Sequence, residues 1–508
     1  MRKNDCVIIG DSLAAIHIAN ELAQDDFTVL LVRPDIAPVE VYESPKGAFV
    51  TDIASGCDLS FYSAGEYSGN LYGFKDKFEL LPYPYRFHFN GKTLNEPGPD
   101  TEFLRVLSKQ FPNHTDSLMR FYTALDFFDG IIDEIETKTG FIPPYSPKEM
   151  LVVFSQVYPW TSQIIKKASS ISFARFLSDF NLPDEMDQLY TLMINDHLNL
   201  GLDSIDSLTG AGIITRRHHG LTYLQDGLPA FKDAMLDQLR SCENAEIIGG
   251  KKIDYIKTSA GIVYKIFIDQ RDAHSVDWII VDESIGLLGM DGSPASDAKF
   301  HPLGYYSNSH LDFKLCLGWE DKPHHDLPVG VNFILKDPKF PPHAPHSIRV
   351  DIMPPDLDDA FGLKTRVTVR GKYPVERILS SWGEKVDRDE MRKELLGLIE
   401  GELLLPSSKP VFAELILPKN VNDPFKETTD KNSSVTPFKF ANEHINARVI
   451  QPTGINGGSI RLAFRCAERI AGEIKRKLTR RRILHEIAVK PIIKYPGFDK
   501  VVGVEPKR

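Results

Sequence analysis

The stretch CVIIGDSLAAIHIANEL, residues 6 to 22, decides how the rest of the chain is read. It admits two readings. In one, Ser12 is a nucleophile placed just after a strand. In the other, Gly10, Ser12 and Ala15 occupy the three small-residue positions of a dinucleotide-binding turn. In such a turn the first position allows the tight bend, the second lets backbone approach a pyrophosphate, and the third lets helix pack on strand.

Outward from this stretch, residues 5 to 33 predict a strand, a helix and a second strand: DCVIIG, SLAAIHIANELAQ and FTVLLV. Near-continuous apolar strands separated by an amphipathic helix are the pattern of a parallel sheet covered on both faces. The fold class expected is therefore α/β with a Rossmann-like nucleotide-binding domain. At 508 residues the chain exceeds what one core supports, so a second domain is expected. With 42% hydrophobic and 26% charged residues, neither disorder nor a fibrous repeat is indicated.

Charge and cysteine usage exclude several function classes. A formal net charge of -10 argues against a nucleic-acid binder, which needs clustered cations. The basic run KRKLTRRR, residues 475 to 482, is the local exception. It reads as a solvated helix end whose cations suit the C-terminal dipole, or as a contact for an acidic partner or anionic membrane. The five cysteines are scattered and odd in number, so no zinc site or disulfide framework is expected, and a reducing cytoplasm fits. No signal-peptide pattern and no membrane-spanning apolar run occurs, which predicts a soluble protein with at most peripheral membrane contact.

Residues 99 to 220 are helical and aromatic-rich, and the mixed three and four spacing of their apolar residues assigns most of the Phe and Tyr to core. A helix follows with Leu228, Phe231, Met235 and Leu239 on one face, then the strands AEIIGG, KKIDYIKT, GIVYKIFI and VDWIIVD. Residues 305 to 440 alternate strands with Pro-rich connections and include the helix DRDEMRKELLGLIEGEL. Near the end, PTGINGGSIRLAFRCAERIAGEI places Gly454, Gly457 and Gly458 at the entry to a helix. Its apolar stripe is Ile460, Ala463, Phe464, Ala467, Ile470, Ala471 and Ile474. A glycine-rich helix entry is a natural phosphate site.

The nucleophile reading resembles the GDSL-type esterases, which also need a base and a group orienting it. Asp321 with His324, and Asn195 with Asp196, are the residues available for those roles. The dinucleotide reading resembles the phytoene desaturase and amine oxidase superfamily of FAD-dependent oxidoreductases, most closely its carotenoid desaturase and isomerase branch. Four segments carry the likeness in order: the opening stretch, KGAFVTDIASG from Lys46, RRHHGLTYLQDGL from Arg216, and PTGINGGSIRLAFRCAERIA from Pro452.

This resemblance implies a discontinuous FAD-binding domain over residues 1 to 95, 215 to 300 and 440 to 480. An inserted α+β substrate domain would take residues 96 to 214 and 301 to 439, with residues 481 to 508 a C-terminal extension. Gly10, Ser12 and Ala15 would approach the pyrophosphate and Arg33 the adenosine ribose, where an acidic residue is usual. Arg33 also suits a 2'-phosphate, so NAD(P) is an alternative to FAD. Gly220 belongs to the middle motif, Ile253 matches the strand meeting the adenine, and Gly454, Asn456, Gly457 and Gly458 would lie near the flavin and ribityl chain. The glycine-arginine loop usual after the second strand is replaced by PDIAPVEVYESPKG. The function implied is oxidation of a hydrophobic, perhaps isoprenoid, small molecule. A cofactor-poor relative that binds a lipid or protein partner is the alternative. No metal is expected: His343 and His346 sit in a Pro-rich stretch without the helical context of a zinc site, His218 and His219 read as a surface loop or as neighbours of the cofactor, and Asp356, Asp358 and Asp359 read as a solvated turn.

Overall fold

Parallel pairing begins where the sequence pattern places it. The structure, a computed structural model, describes residues 2–33, 41–44, 47–50, 72–81, 83, 85–89, 92–97, 100–139, 147–198, 202–218, 222–224, 227–249, 253–259, 262–268, 272–282, 310–321, 329–335, 347–352, 363–374, 388–403, 405–416, 446–450 and 460–489. The opening strand Arg2–Ile9 pairs in parallel with Val29–Arg33 on one side and Asp272–Asp282 on the other. Val29–Arg33 in turn pairs with Ala245–Gly249, again in parallel.

The long strand Asp272–Asp282 serves two neighbours along one edge. Its first half pairs antiparallel with Ile262–Ile268, which continues to Ile253–Ser259, and its second half pairs in parallel with Ala447–Ile450. Asn446 holds this handover. Its side chain accepts from Val263 N–H at 2.8 Å and donates to the carbonyls of Val263 at 2.6 Å and Asp277 at 2.8 Å.

Side chains alternate along a strand, so each strand feeds two cores. Val7, Ile9, Leu30 and Val32 meet the antiparallel strands through Ile256, Val263, Ile266 and Ile268. Cys6, Ile8, Val29 and Leu31 meet the opening helix Leu13–Gln24, the middle helix Gly227–Arg240 and the closing helix Ile460–Val489. The expected faces hold: Phe231, Met235 and Leu239 are fully buried, as are Phe464, Ala467, Ala471 and Ile474.

The second sheet has the strand order Phe412–Ile416, His310–Trp319, Thr365–Pro374, Ser347–Ile352, Gly330–Leu335, Tyr85–Phe89 and Lys92–Glu96. Its last two strands come from the chain segment before residue 96. The helix Arg388–Glu400 packs on one face through Met391, Leu395 and Ile399. The helical layer from Asp100 to His218 packs on the other, through Tyr85, Phe87, Leu94, Val331 and Phe333.

The aromatic residues of this layer close on one another. Phe103, Phe121, Phe173 and Tyr190 are fully buried, and Phe121 packs against Tyr122, Phe180 and Tyr190. They form core, as their spacing predicts.

The basic run is not a helix end, since the closing helix continues to Val489. Lys475 Nζ lies 2.8 Å from both Glu21 and Asp25, and Arg481 lies 2.7 Å from Asp277. Lys477 pairs with Glu473 and stands over the Trp278 ring. These cations fasten the closing helix to the first domain, because amphipathic burial of the helix through Leu478 brings them against its carboxylates. Among the described residues no helix is long and apolar enough to cross a membrane.

Candidate functional site

The glycine turn lies at the carboxyl end of the opening strand, which has Val29–Arg33 on one side and Asp272–Asp282 on the other, so the sheet order reverses there. Ligands of open α/β sheets bind at such a switch point. Gly10 is buried there, and its N–H donates to Val32 O at 3.0 Å, which ties the turn to the second strand.

Ser12 is the N-cap of the opening helix, with extended backbone and Oγ accepting from Ala15 N–H at 3.2 Å. A helix leaves its first N–H groups without partners inside the helix, and a serine side chain is well suited to take one. The hydroxyl that the esterase reading would make a nucleophile therefore serves the helix end. Asp321 does not join it, since it follows the strand His310–Trp319 of the second sheet and accepts from Ser408 Oγ. Asn195 and Asp196 lie within the helix Asp184–Leu198. His324 lies outside the described residues.

Two cations converge on the turn. Arg33, at the end of the second strand, donates Nε–H to Asp11 Oδ1 at 2.5 Å. Lys232, from the middle helix, has Nζ 3.7 Å from Asp11 Oδ2. Two positive side chains and the positive end of a helix dipole thus face one carboxylate, a set of donors that suits an anionic phosphate. Asp11 and Lys232 were not singled out by sequence reasoning. A carboxylate inside the glycine turn was the available signal for Asp11, but only the packing of the middle helix beside the opening helix brings Lys232 to it.

Ala15 is fully buried in the first turn, where its small side chain permits close packing. Ile253 opens the strand that follows Ala245–Gly249, and Gly249 is the register partner of Arg33. Four residues of chain reach at most about 14 Å, so Ile253 is held near the end of the second strand. Gly220, Gly454, Asn456, Gly457 and Gly458 lie outside the described residues, as do His219, His343, His346, Asp356, Asp358 and Asp359. Among the described residues no group of His, Cys, Asp and Glu could hold a metal.

Behind the turn, His17 of the opening helix is buried and stacks on Phe464 of the closing helix, with ring centroids 4.1 Å apart. Its Nδ1 shares a 2.6 Å hydrogen bond with Tyr72 Oη, while its Nε2 has no hydrogen-bond partner among the described residues. Burial pushes the imidazole down to about 4, partly opposed by Glu21, so the ring is neutral at physiological pH. Burial raises the Tyr72 phenol, which stays protonated. Sequence reasoning missed this pair, because residues 55 positions apart carry no shared local pattern.

No protein-family model and no curated protein matches this chain. Solved structures do. Putrescine oxidase bound to putrescine superposes with a TM-score of 0.54 at 12% identity, covering 93% of this chain and 99% of that one. Cyclohexylamine oxidase from Brevibacterium oxydans IH-35A gives 0.53 at 14% identity, with 94% and 99% covered. An oxidoreductase from Methanosarcina mazei gives 0.52 at 13%, with 93% and 100% covered.

At these identities the likeness shows the fold: a mixed α/β architecture of the Rossmann-like FAD-binding oxidoreductases. It is the fold that putrescine oxidase and cyclohexylamine oxidase also have. The narrower desaturase and isomerase assignment expected from the sequence finds no support in these neighbours.

Proposed function

We propose that this protein is an FAD-dependent oxidoreductase acting on a hydrophobic small molecule. The observation that carries the reading is the convergence of Arg33 and Lys232 on the Gly10 turn, at the switch point of an amine-oxidase fold. The donor set fits a pyrophosphate: first-turn N–H groups of the opening helix, a buried glycine at the bend, and two cations. Gly10 lets the backbone approach the phosphates, Arg33 faces the adenosine half, and Asp11 yields the cations to the ligand. Gly454, Asn456, Gly457 and Gly458 are assigned to the flavin half, and Gly220 to the middle motif, by the sequence resemblance alone. A bound flavin supplies the electron acceptor, and the protein positions substrate and excludes water. Hydrophobic substrate, and an isoprenoid in particular, follows from the same resemblance. Arg33 in place of the usual acidic residue keeps NADP as the variant of this reading.

A second reading, a cofactor-poor relative binding a lipid or protein partner, is favoured by one observation. The Asp11 carboxylate already engages both cations, and Ser12 already takes the Ala15 N–H. The two readings part on the purified protein. Flavin absorbance with FAD released on denaturation, diminished in Lys232→Ala and Arg33→Ala, is the expected result. Colourless protein that takes up neither FAD nor NADP overturns the enzyme reading and supports the second.

A further inference from the structure

The outer helices of the helical layer carry an exposed apolar ridge. Leu151 is 72% exposed, Tyr158 59%, Trp160 54% and Val152 37%. All four fall within ten consecutive residues, Leu151 and Val152 on the helix Pro147–Gln156, Trp160 on the helix Pro159–Ala168, and Tyr158 at the N-cap between them. Both helices are anchored from their other side, where Val153, Val157, Thr161, Ile165 and Ala168 are buried. The ridge is thus built on packed helices, and its outward residues are large and apolar where solvated helix faces are usually polar.

Charge around the ridge runs against the charge of the molecule. Residues 147 to 168 contain Lys148, Lys166 and Lys167 against Glu149 alone, a local balance of +2 in a chain of net charge -10. Lys166 and Lys167 are exposed in the last turn of the second helix. Lys138 reaches in from the neighbouring helix, with Nζ 4.2 Å from the Tyr158 ring centre while paired with Glu134.

We propose that this ridge docks the protein on an anionic lipid bilayer, with Leu151 and Trp160 entering the headgroup boundary and Lys166 and Lys167 meeting lipid phosphates. Trp and Tyr favour this boundary because an apolar ring and a polar edge are both satisfied there. Lysines beside them add attraction to acidic headgroups. Attachment is in the plane of the interface, as for other amphipathic helices. A second copy of this chain is the poorer occupant, since a contact between two copies of the ridge would pair two surfaces that carry the same positive balance.

The test is sedimentation of the full chain with vesicles of phosphatidylcholine plus phosphatidylserine, compared with phosphatidylcholine alone. Wild type is expected to bind the mixed vesicles more tightly, and less so at high salt. The double variant Leu151→Ser with Trp160→Ser should lose about tenfold or more in partitioning, and Lys166→Glu with Lys167→Glu should abolish the phosphatidylserine preference. Both pairs are at the surface, so thermal unfolding should be unchanged. Brominated lipid quenches Trp fluorescence, and the loss of quenching in Trp160→Phe checks the contact without removing the aromatic ring. Wild type that ignores both vesicle types, or variants that bind like wild type, overturns the proposal. Self-association that the Leu151 and Trp160 changes abolish, with no vesicle binding, overturns it in favour of a second copy.

Discussion

Arg33 and Asp11 form a 2.5 Å ion pair from the end of the second strand to the middle of the glycine turn. The pair places a carboxylate where a bound phosphate would compete for the same guanidinium. Both partners keep contact with solvent, at 31% and 20% side-chain exposure, so the pair itself contributes little to stability.

Asp11→Asn should therefore leave the unfolding midpoint nearly unchanged while tightening binding of ADP, used as a probe of the phosphate site. Removing one negative charge about 6 Å from a phosphate in a half-solvated crevice corresponds to about 1 kcal/mol, or several-fold in affinity. Calorimetric titration of both proteins checks this. Equal or weaker binding by Asp11→Asn would show that Asp11 does not compete with the ligand.

Ser12 distinguishes a cap from a catalyst. Ser12→Ala should destabilise the fold by about 1 kcal/mol, whereas Ser12→Gly should cost only a few tenths, since glycine is itself an acceptable N-cap. Denaturant titration reads both. Neither variant should alter hydrolysis of a short-chain ester above the uncatalysed rate, and loss of a genuine esterase activity in Ser12→Ala would restore the nucleophile reading.

His17 makes stability depend on acid. Its folded-state pKa of about 4 lies below the ordinary 6.5, so between these values the unfolded chain binds a proton that the native protein refuses. Its contribution is complete above pH 6.5 and is lost progressively as pH falls to about 4, about 3 kcal/mol in all. Denaturation midpoints measured across this window should show the decline, and His17→Phe should flatten it.

Asn446 joins the antiparallel strands to the parallel sheet with three backbone hydrogen bonds. Asn446→Leu removes them and leaves the Val263 and Asp277 groups buried without that partner, which should cost about 3 kcal/mol. A chemical denaturation curve shifted by less than a third of that would mean water replaces the side chain.

The sequence by itself determined the local elements and the faces they bury. The opening strand, helix and strand were legible because unbroken apolar strands and a small-residue turn leave few alternatives, and the stripe from Phe464 to Ile474 was legible because helical periodicity is local. The place of Ser12 at a helix start was legible too, though its two chemistries were not separable, since capping and nucleophilic attack ask for the same residue type.

Tertiary structure decided what those residues meet. Asp11 meets Arg33 across two neighbouring strands, and it is approached by Lys232 only because the middle helix, some two hundred residues later, packs beside the opening helix. His17 finds Tyr72 and Phe464 in the same way, and the basic run from Lys475 becomes a clasp on Glu21 and Asp25 rather than a free helix end. Periodicity reports which face of an element is buried, whereas a site is assembled from contacts between distant elements. Those contacts are set by how the layers stack, and no short window of sequence contains them.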